Sequence, residues 1–408
     1  MAGRSRDSVV ESGHGTEATA TMRAADTASD VLGGHLRARA AEFLRGLRLH
    51  AESAGSAEGA ARAAEAVDLL RAAARRMNGA LHTYRPLLDP SWADQLRAEL
   101  SWLSGTLARE YAYAGQLERL LGALHRLAGG APSAGPAEGG SPAGPGGSAC
   151  PAGSVRAAGT TGPADPAGTA SATGTASGDG PGERGPGPGP LPVGAARAGA
   201  LLDRRLTLSR TRAHSAALQA LGSARFHAVA DAVAVLASEV PFRTDAKALG
   251  DQPADAVLPT LADQARAHLS EAVGALPLAR AGAPYNAEAL TRSLATEARQ
   301  DAAWHQVRVT LRLHRYAQEV LGRPADADAR LLPAGAALER HRDAAEAAAA
   351  AASAAGTPRI APATAYALGV LHADQRHEVE AARFVFGRLW GQAPPPPVRS
   401  PRGEGRAS

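Results

Sequence analysis

The chain has 408 residues, 21% of them charged, with 44 Lys and Arg against 40 Asp and Glu and a formal charge of +4. That length allows one large or two ordinary domains with real cores, and the small cationic excess favours acidic partners without selecting one. The one cysteine, Cys150, excludes an intrachain disulfide framework and a thiolate metal cluster, and no uninterrupted apolar run spans a bilayer, so the expectation is a cytoplasmic protein with no membrane partner.

Residues 1–32 are polar and aperiodic and read as a disordered segment. Helical periodicity occupies 33–128, beginning near "LGGHLRARAAEFLRGLRLHAES" and continuing in "EGAARAAEAVDLLRAAARRMNGALHTYRPLL". In "DPSWADQLRAELSWLSGTLAREY", Asp89 is a natural N-cap and Pro90 suits the first helical position. A separate helix is expected after Tyr111, ending near Leu127. From 129 to 193 the sequence falls into Gly, Pro, Ala, Ser and Thr, which cannot bury enough apolar surface to fold and reads as a disordered linker. Periodicity returns over 194–391, through "ARFHAVADAVAVLASEV", "VLPTLADQARAHLSEAVGAL", "NAEALTRSLATEA" and "WHQVRVTLRLHRYAQEV" to "AGAALERHRDAAEAAAAAASAA" and "ATAYALGVLHADQRHEVEAARFVFGRLW". Residues 392–408 read as a disordered tail. No alternating strand pattern of useful length is present. The expected fold is all-α: antiparallel helical bundles with a long linker between them.

The cationic residues are arginines except Lys247. Arg suits phosphate better than Lys does, but Ala, Gly and Pro are enriched with it, as in a GC-rich genome, so the preference alone is no functional signal. Its placement is more telling. Along "WHQVRVTLRLHRYAQEV", steps of three and four select His305, Arg308, Arg312, Arg315 and Glu319. The same steps in the second helix select Asp68, Arg71, Arg75, Asn78 and His82, at one constant offset. Downstream, "LAREYA" (107–112) aligns with "LERHRD" (338–343). Two polar files in the same order suggest an internal duplication. On this alignment the linker falls where the second half has only "AAGTPRIAP", a loop at which an insertion costs little entropy.

These segments resemble the CHAD domain, the conserved histidine α-helical domain. The resemblance rests on a His followed by Arg at helical spacing, then a helix carrying an Arg-Asp pair, intact in the second half and with its spacing repeated in the first. It implies two pseudo-symmetric helical bundles that bind inorganic polyphosphate in a basic central groove, with polyphosphate granules as a further partner. It also implies a polyanion-binding set of His305, Arg308, Arg312, Arg315 and Arg342 from the second half and Arg71, Arg75 and Arg76 from the first. The first half departs from the pattern: Asp68 stands at the His position, Asn78 and His82 at basic positions, and Tyr111-Ala112 where the Arg-Asp pair would be. Weaker affinity and a different ligand both remain open on those departures.

The chemistry suits the reading. An α-helix places steps of three and four about 5 Å apart on one face, and arginine forks grip phosphate oxygens. The role expected is non-catalytic, with no cofactor and no metal; His305 and His314 have the wrong spacing for one helical ligand face. Two alternatives stand beside it. One is a scaffold or protein-interaction module that has lost anion binding, which predicts a groove of mixed charge. The other is a nucleic-acid binder, which predicts stacking aromatics among the arginines, and none lies on the cationic file itself. Arg342 and Asp343 also fit a simple ion pair within the bundle. "RHEVEAAR" (376–383) reads as an amphipathic helix segment rather than a catalytic motif, and the four tryptophans read as core or bundle-edge packing.

Overall fold

A computed structural model describes residues 26–53, 57–129, 190–245, 247–281, 297–323 and 328–391. Most of the linker, most of "NAEALTRSLATEA", the start of the chain, Cys150 and the tail lie outside the described residues. The described residues form an all-α fold in which extended pairing is limited to two isolated bridges, Thr27 with Pro253 and Leu88 with Phe242.

Helix α1 (Ala28–Glu52) starts at a capping box, in which the Thr27 hydroxyl accepts from the Asp30 amide and the Asp30 carboxylate returns to the Thr27 amide. Helix α2 (Ala57–Thr83) leads through a 3₁₀ turn (Arg85–Leu87) into α3 (Pro90–Leu127), whose N-cap Asp89 accepts from the Trp92 amide at 2.8 Å. Then follow α4 (Pro190–Leu221), α5 (Ala224–Ser238), the short α6 (Lys247–Gly250), α7 (Ala254–Gly274) and the short α8 (Leu278–Ala281). The chain closes with α9 (Glu297–Val320), α10 (Leu331–Ala355) and α11 (Pro362–Gly391).

One expectation is corrected here. The periodicity suggested a helix ending near Tyr111 and another to Leu127, whereas α3 is one helix of 38 residues. Gly105 and Gly115 each cost about 1 kcal/mol of helix propensity, too little to break a helix anchored at both ends. Leu96, Leu100 and Leu103 are buried in one core, and Leu120, Ala123 and Leu124 in another.

Three apolar clusters organise the molecule. The largest joins α1, α2, the first part of α3, α5 and α7, with Phe43, Met77 and Tyr84 at its centre. A second packs the end of α3 and the start of α4 against the α10–α11 hairpin. It is rich in alanine (Ala198, Ala347, Ala351, Ala354 and Ala367), and small side chains let helices approach closely. The third holds Trp304, Val307, Leu311, Leu338 and Phe386 between α7, α9, α10 and α11. Trp92, Trp102 and Trp390 pack at the edges of these clusters, and Trp304 is inside one.

α1 packs on α2, α2 on α3 and α3 on α4, and likewise α7 packs on α9, α9 on α10 and α10 on α11. The starts of α1 and α7 are tied by a reciprocal pair: Ala28 N–H donates to Gln252 O and Ala254 N–H to Asp26 O, both at 2.9 Å. α3 lies beside α4 as α10 lies beside α11, so the long linker sits where the second half has the loop between Ala355 and Pro362. No single described helix is long and apolar enough to cross a membrane; α4 and α5 meet both conditions only taken together, are bent by 58°, and bury Leu202, Leu206, Val229 and Val233 inside the protein.

Candidate polyanion cleft between α2 and α9

Helices α2 and α9 cross, and a cleft of about 560 Å³ opens along the crossing, floored by α3 and α10. From α2 it receives Arg71, Arg75 and Asn78, and from α9 it receives Arg308, Arg312 and Arg315. The middle three positions of each sequence file therefore face one another across one space. α3 adds small residues, Ser101, Ser104, Gly105 and Ala108, while α10 adds Glu339 and Arg342. Among these lining residues six are arginines and one is acidic.

The ends of the files turn elsewhere. His305 lies in an adjoining cleft of about 250 Å³ with Trp304 and His341, which shares Arg308 and Arg342 with the main one. His82 lines a separate cleft with His268. Glu319 pairs with Arg76 at 3.1 Å, and Arg76 is not a lining residue. The reason is geometric: steps averaging 3.5 residues drift against a 3.6-residue turn, and the crossing leaves about two turns of each helix facing the other. At one end the groove continues past Arg71 and Arg342 along α3 to Tyr111, Gln116 and Arg119.

The second-half arginines are held by acid. Glu339 accepts from Arg308 Nη1 at 3.1 Å and from Arg312 Nη2 at 2.7 Å, and lies 3.5 Å from Arg342 Nε. Burial opposes ionisation of Glu339, but these three guanidiniums outweigh it and hold the carboxyl below the ordinary range. Arg342 also pairs with Asp343. Arg308 Nη2 donates to His305 Nδ1 at 3.3 Å, and His305 is held below its ordinary value by burial and then by Arg308, Arg312 and Arg342.

The departures in the first half acquire structural meaning. Tyr111, at the position of Arg342, lies under Arg71, whose guanidinium carbon is 5.2 Å from the ring centroid. Asp68, at the position of His305, accepts from Arg71 Nη1 at 2.9 Å and is largely exposed. Asn78 donates across to Arg97 O at 2.8 Å and Ser101 Oγ at 2.7 Å, tying α2 to α3. Ala108 stands where α10 has Glu339, so no equivalent acid reaches Arg71 and Arg75 from α3.

Two features leave cationic donors in the cleft without a protein partner. Arg71 Nε and Arg308 Nε are both buried without a hydrogen-bond partner, and the two residues occupy matching positions in the files. Burial lowers the pKa of both, so each charged fork is incompletely compensated by the protein. Among the described residues, Arg75 and Arg315 have no carboxylate partner at all.

Sequence reasoning missed Glu339 and a buried ionic cluster behind the site. Asp301 receives Arg376 Nη1 at 2.8 Å and Arg383 Nη2 at 2.7 Å, with His341 Nε2 at 3.4 Å and Glu380 paired to Arg383. Arg376 is 1% exposed. The arginines of "RHEVEAAR" thus anchor α11 to α9 rather than face solvent.

A family model described as CHAD domain matches residues 39–352. Among solved structures, PptA from Streptomyces chartreusis is similar at 49% sequence identity and a TM-score of 0.65, covering 90% of this chain and 100% of that one. No curated protein matches. The paired cationic files, their meeting across one cleft and the family match together place this chain in the CHAD domain family.

Proposed function

We propose that the protein binds inorganic polyphosphate in the cleft between α2 and α9, without catalysing its turnover, and that the two halves descend from one duplicated unit. The observation that carries the reading is the matched pair of buried, partnerless Nε donors on Arg71 and Arg308, flanked by Arg75 and Arg315 with no acid to neutralise them. A chain of phosphates offers acceptors at short regular intervals and needs no base edges to be read, which fits a row of guanidiniums over a floor of small residues. Membership of the family supports the same ligand, and the continuation to Arg119 gives a chain room to extend.

The scaffold alternative predicted a groove of mixed charge; Glu339 is the one acid among the residues lining the main cleft, and Asp343 and Glu346 line its continuation. The nucleic-acid alternative needs free aromatic faces. Tyr316, beside the file rather than on it, lines the cleft, but its ring is pressed onto Gly79, and Tyr111 lies beneath Arg71.

Polyphosphate binding across a salt series tests the proposal, with wild type beside an Arg308→Ala/Arg312→Ala variant and single-stranded DNA as competitor. Binding that weakens with salt, is lost in the variant and survives the DNA supports it. Equal weak binding by both proteins overturns it.

A further inference from the structure

Resting on the polyphosphate reading, we propose that Glu339 is a built-in counter-ion that makes the cleft select long polyanions and refuse short ones. The densest cluster of cations in the cleft is Arg308, Arg312 and Arg342, and Glu339 already sits among all three, at 3.1, 2.7 and 3.5 Å. A short anion seeking the strongest local field meets a carboxylate that is tethered in place and so present at high effective concentration. It must expel Glu339 or bind elsewhere.

A long chain faces a different choice. Arg71 and Arg75 on the opposite wall have no acid from α3, because Ala108 stands at the matching position, and the Asp68 that pairs with Arg71 from its own helix is largely exposed. Arg315 has no carboxylate partner among the described residues, and Arg119, 3.6 Å from Glu378, lies further along the continuing groove, which Asp343 and Glu346 also line. A chain that touches these together gathers its affinity from several modest contacts and leaves Glu339 where it is. A di- or triphosphate cannot reach them all at once. The asymmetry between the walls, one with a carboxylate shared by three arginines and one with only the exposed Asp68 beside Arg71, therefore acts as a length filter. It is a property of this chain's own residues, since Ala108 stands at the position that matches Glu339.

Glu339→Gln keeps the shape and removes the charge. Binding of tripolyphosphate and of long-chain polyphosphate is measured for wild type, Glu339→Gln and Glu319→Gln. The last removes an acid paired with Arg76, outside the cleft lining, and so reports the effect of net charge alone. The expected result is about a tenfold gain for tripolyphosphate in Glu339→Gln, with less than about a threefold gain for the long chain, and small equal gains for both in Glu319→Gln. Equal gains for the two ligands in Glu339→Gln overturn the filter, as does wild type binding tripolyphosphate as tightly as the long chain. Long-chain binding by Glu339→Gln itself verifies that the variant is folded. If wild type binds neither ligand, the polyphosphate reading falls and the filter falls with it; if wild type binds the long chain, only the filter is at stake.

Discussion

Gly79 of α2 lies directly beneath Tyr316 of α9, so close that a Cβ on the glycine would come 2.5 Å from Tyr316 Cδ2 and 3.1 Å from its Cβ. The two residues stand at matching positions in the two helices, the same offset apart as Arg71 and Arg308. On the duplication proposed above, equivalent residues that touch each other mark the axis relating the two halves, and here it passes through the α2–α9 contact. The missing side chain sets how near the two rows of arginines can come. Gly79→Ala improves helix propensity by about 1 kcal/mol, but overpacking costs about 1–3 kcal/mol. The expected balance is a net loss of about 1 kcal/mol in thermal or denaturant unfolding, with weaker polyphosphate binding because the walls are pushed apart. A more stable variant with unchanged binding would show that Tyr316 moves aside freely.

The arginines without acids are expected to contribute most of the salt dependence. Replacing Arg75 or Arg315 with Ala should each reduce the slope of log affinity against log salt by about 0.7, the value for a single-stranded polyanion contact. Arg76→Ala should leave the slope nearly unchanged, because Arg76 is engaged by Glu319 away from the cleft. A salt titration of the three variants separates them, and a large effect of Arg76 would move the binding surface.

Protonation of His305 is expected to accompany binding. In the free protein burial and then Arg308, Arg312 and Arg342 hold its pKa below the ordinary value, whereas a polyanion beside it reverses the local field and raises it. Between those two values binding takes up a proton. Affinity should therefore rise as pH falls through that window and level off below the free-state value. Glu346, raised by burial, acts in the same direction, while Glu339 is held ionised. Calorimetry in buffers of different ionisation heat measures the uptake, and His305→Gln should reduce it. Undiminished uptake in that variant would assign the proton to Glu346.

The buried cluster around Asp301 is expected to carry stability rather than binding. Asp301→Ala leaves Arg376 and Arg383 without their shared carboxylate in a nearly dry interior, and breaking such a pair costs about 3 kcal/mol. Although burial raises the Asp301 pKa, His341 and Arg376 bring it well below the carboxylate range. Its contribution is full above the unfolded carboxylate pKa and is lost as pH falls through the folded value. Wild type should thus lose more stability on acidification than Asp301→Ala, a difference that unfolding curves at descending pH will show.

The sequence by itself determined the helices, the Asp89 cap and the two cationic files, because periodicity, capping and side-chain spacing are local properties carried within a few turns. It also determined the family, since both motifs survive in order. Only the tertiary structure decided which file members meet. His82 and Glu319 share the spacing of Arg75 and Arg312 yet point elsewhere, because the α2–α9 crossing at Gly79 selects a short stretch of each helix. The same holds for α3, whose continuity past Tyr111 comes from two separate cores gripping its ends. The roles of Glu339 and of Arg376 depend on partners 27–31 and 75 residues away in sequence. A charge on an amphipathic helix looks the same in sequence whether it meets solvent, a partner or a ligand, and its energy is set by what the packed chain brings within a few ångströms.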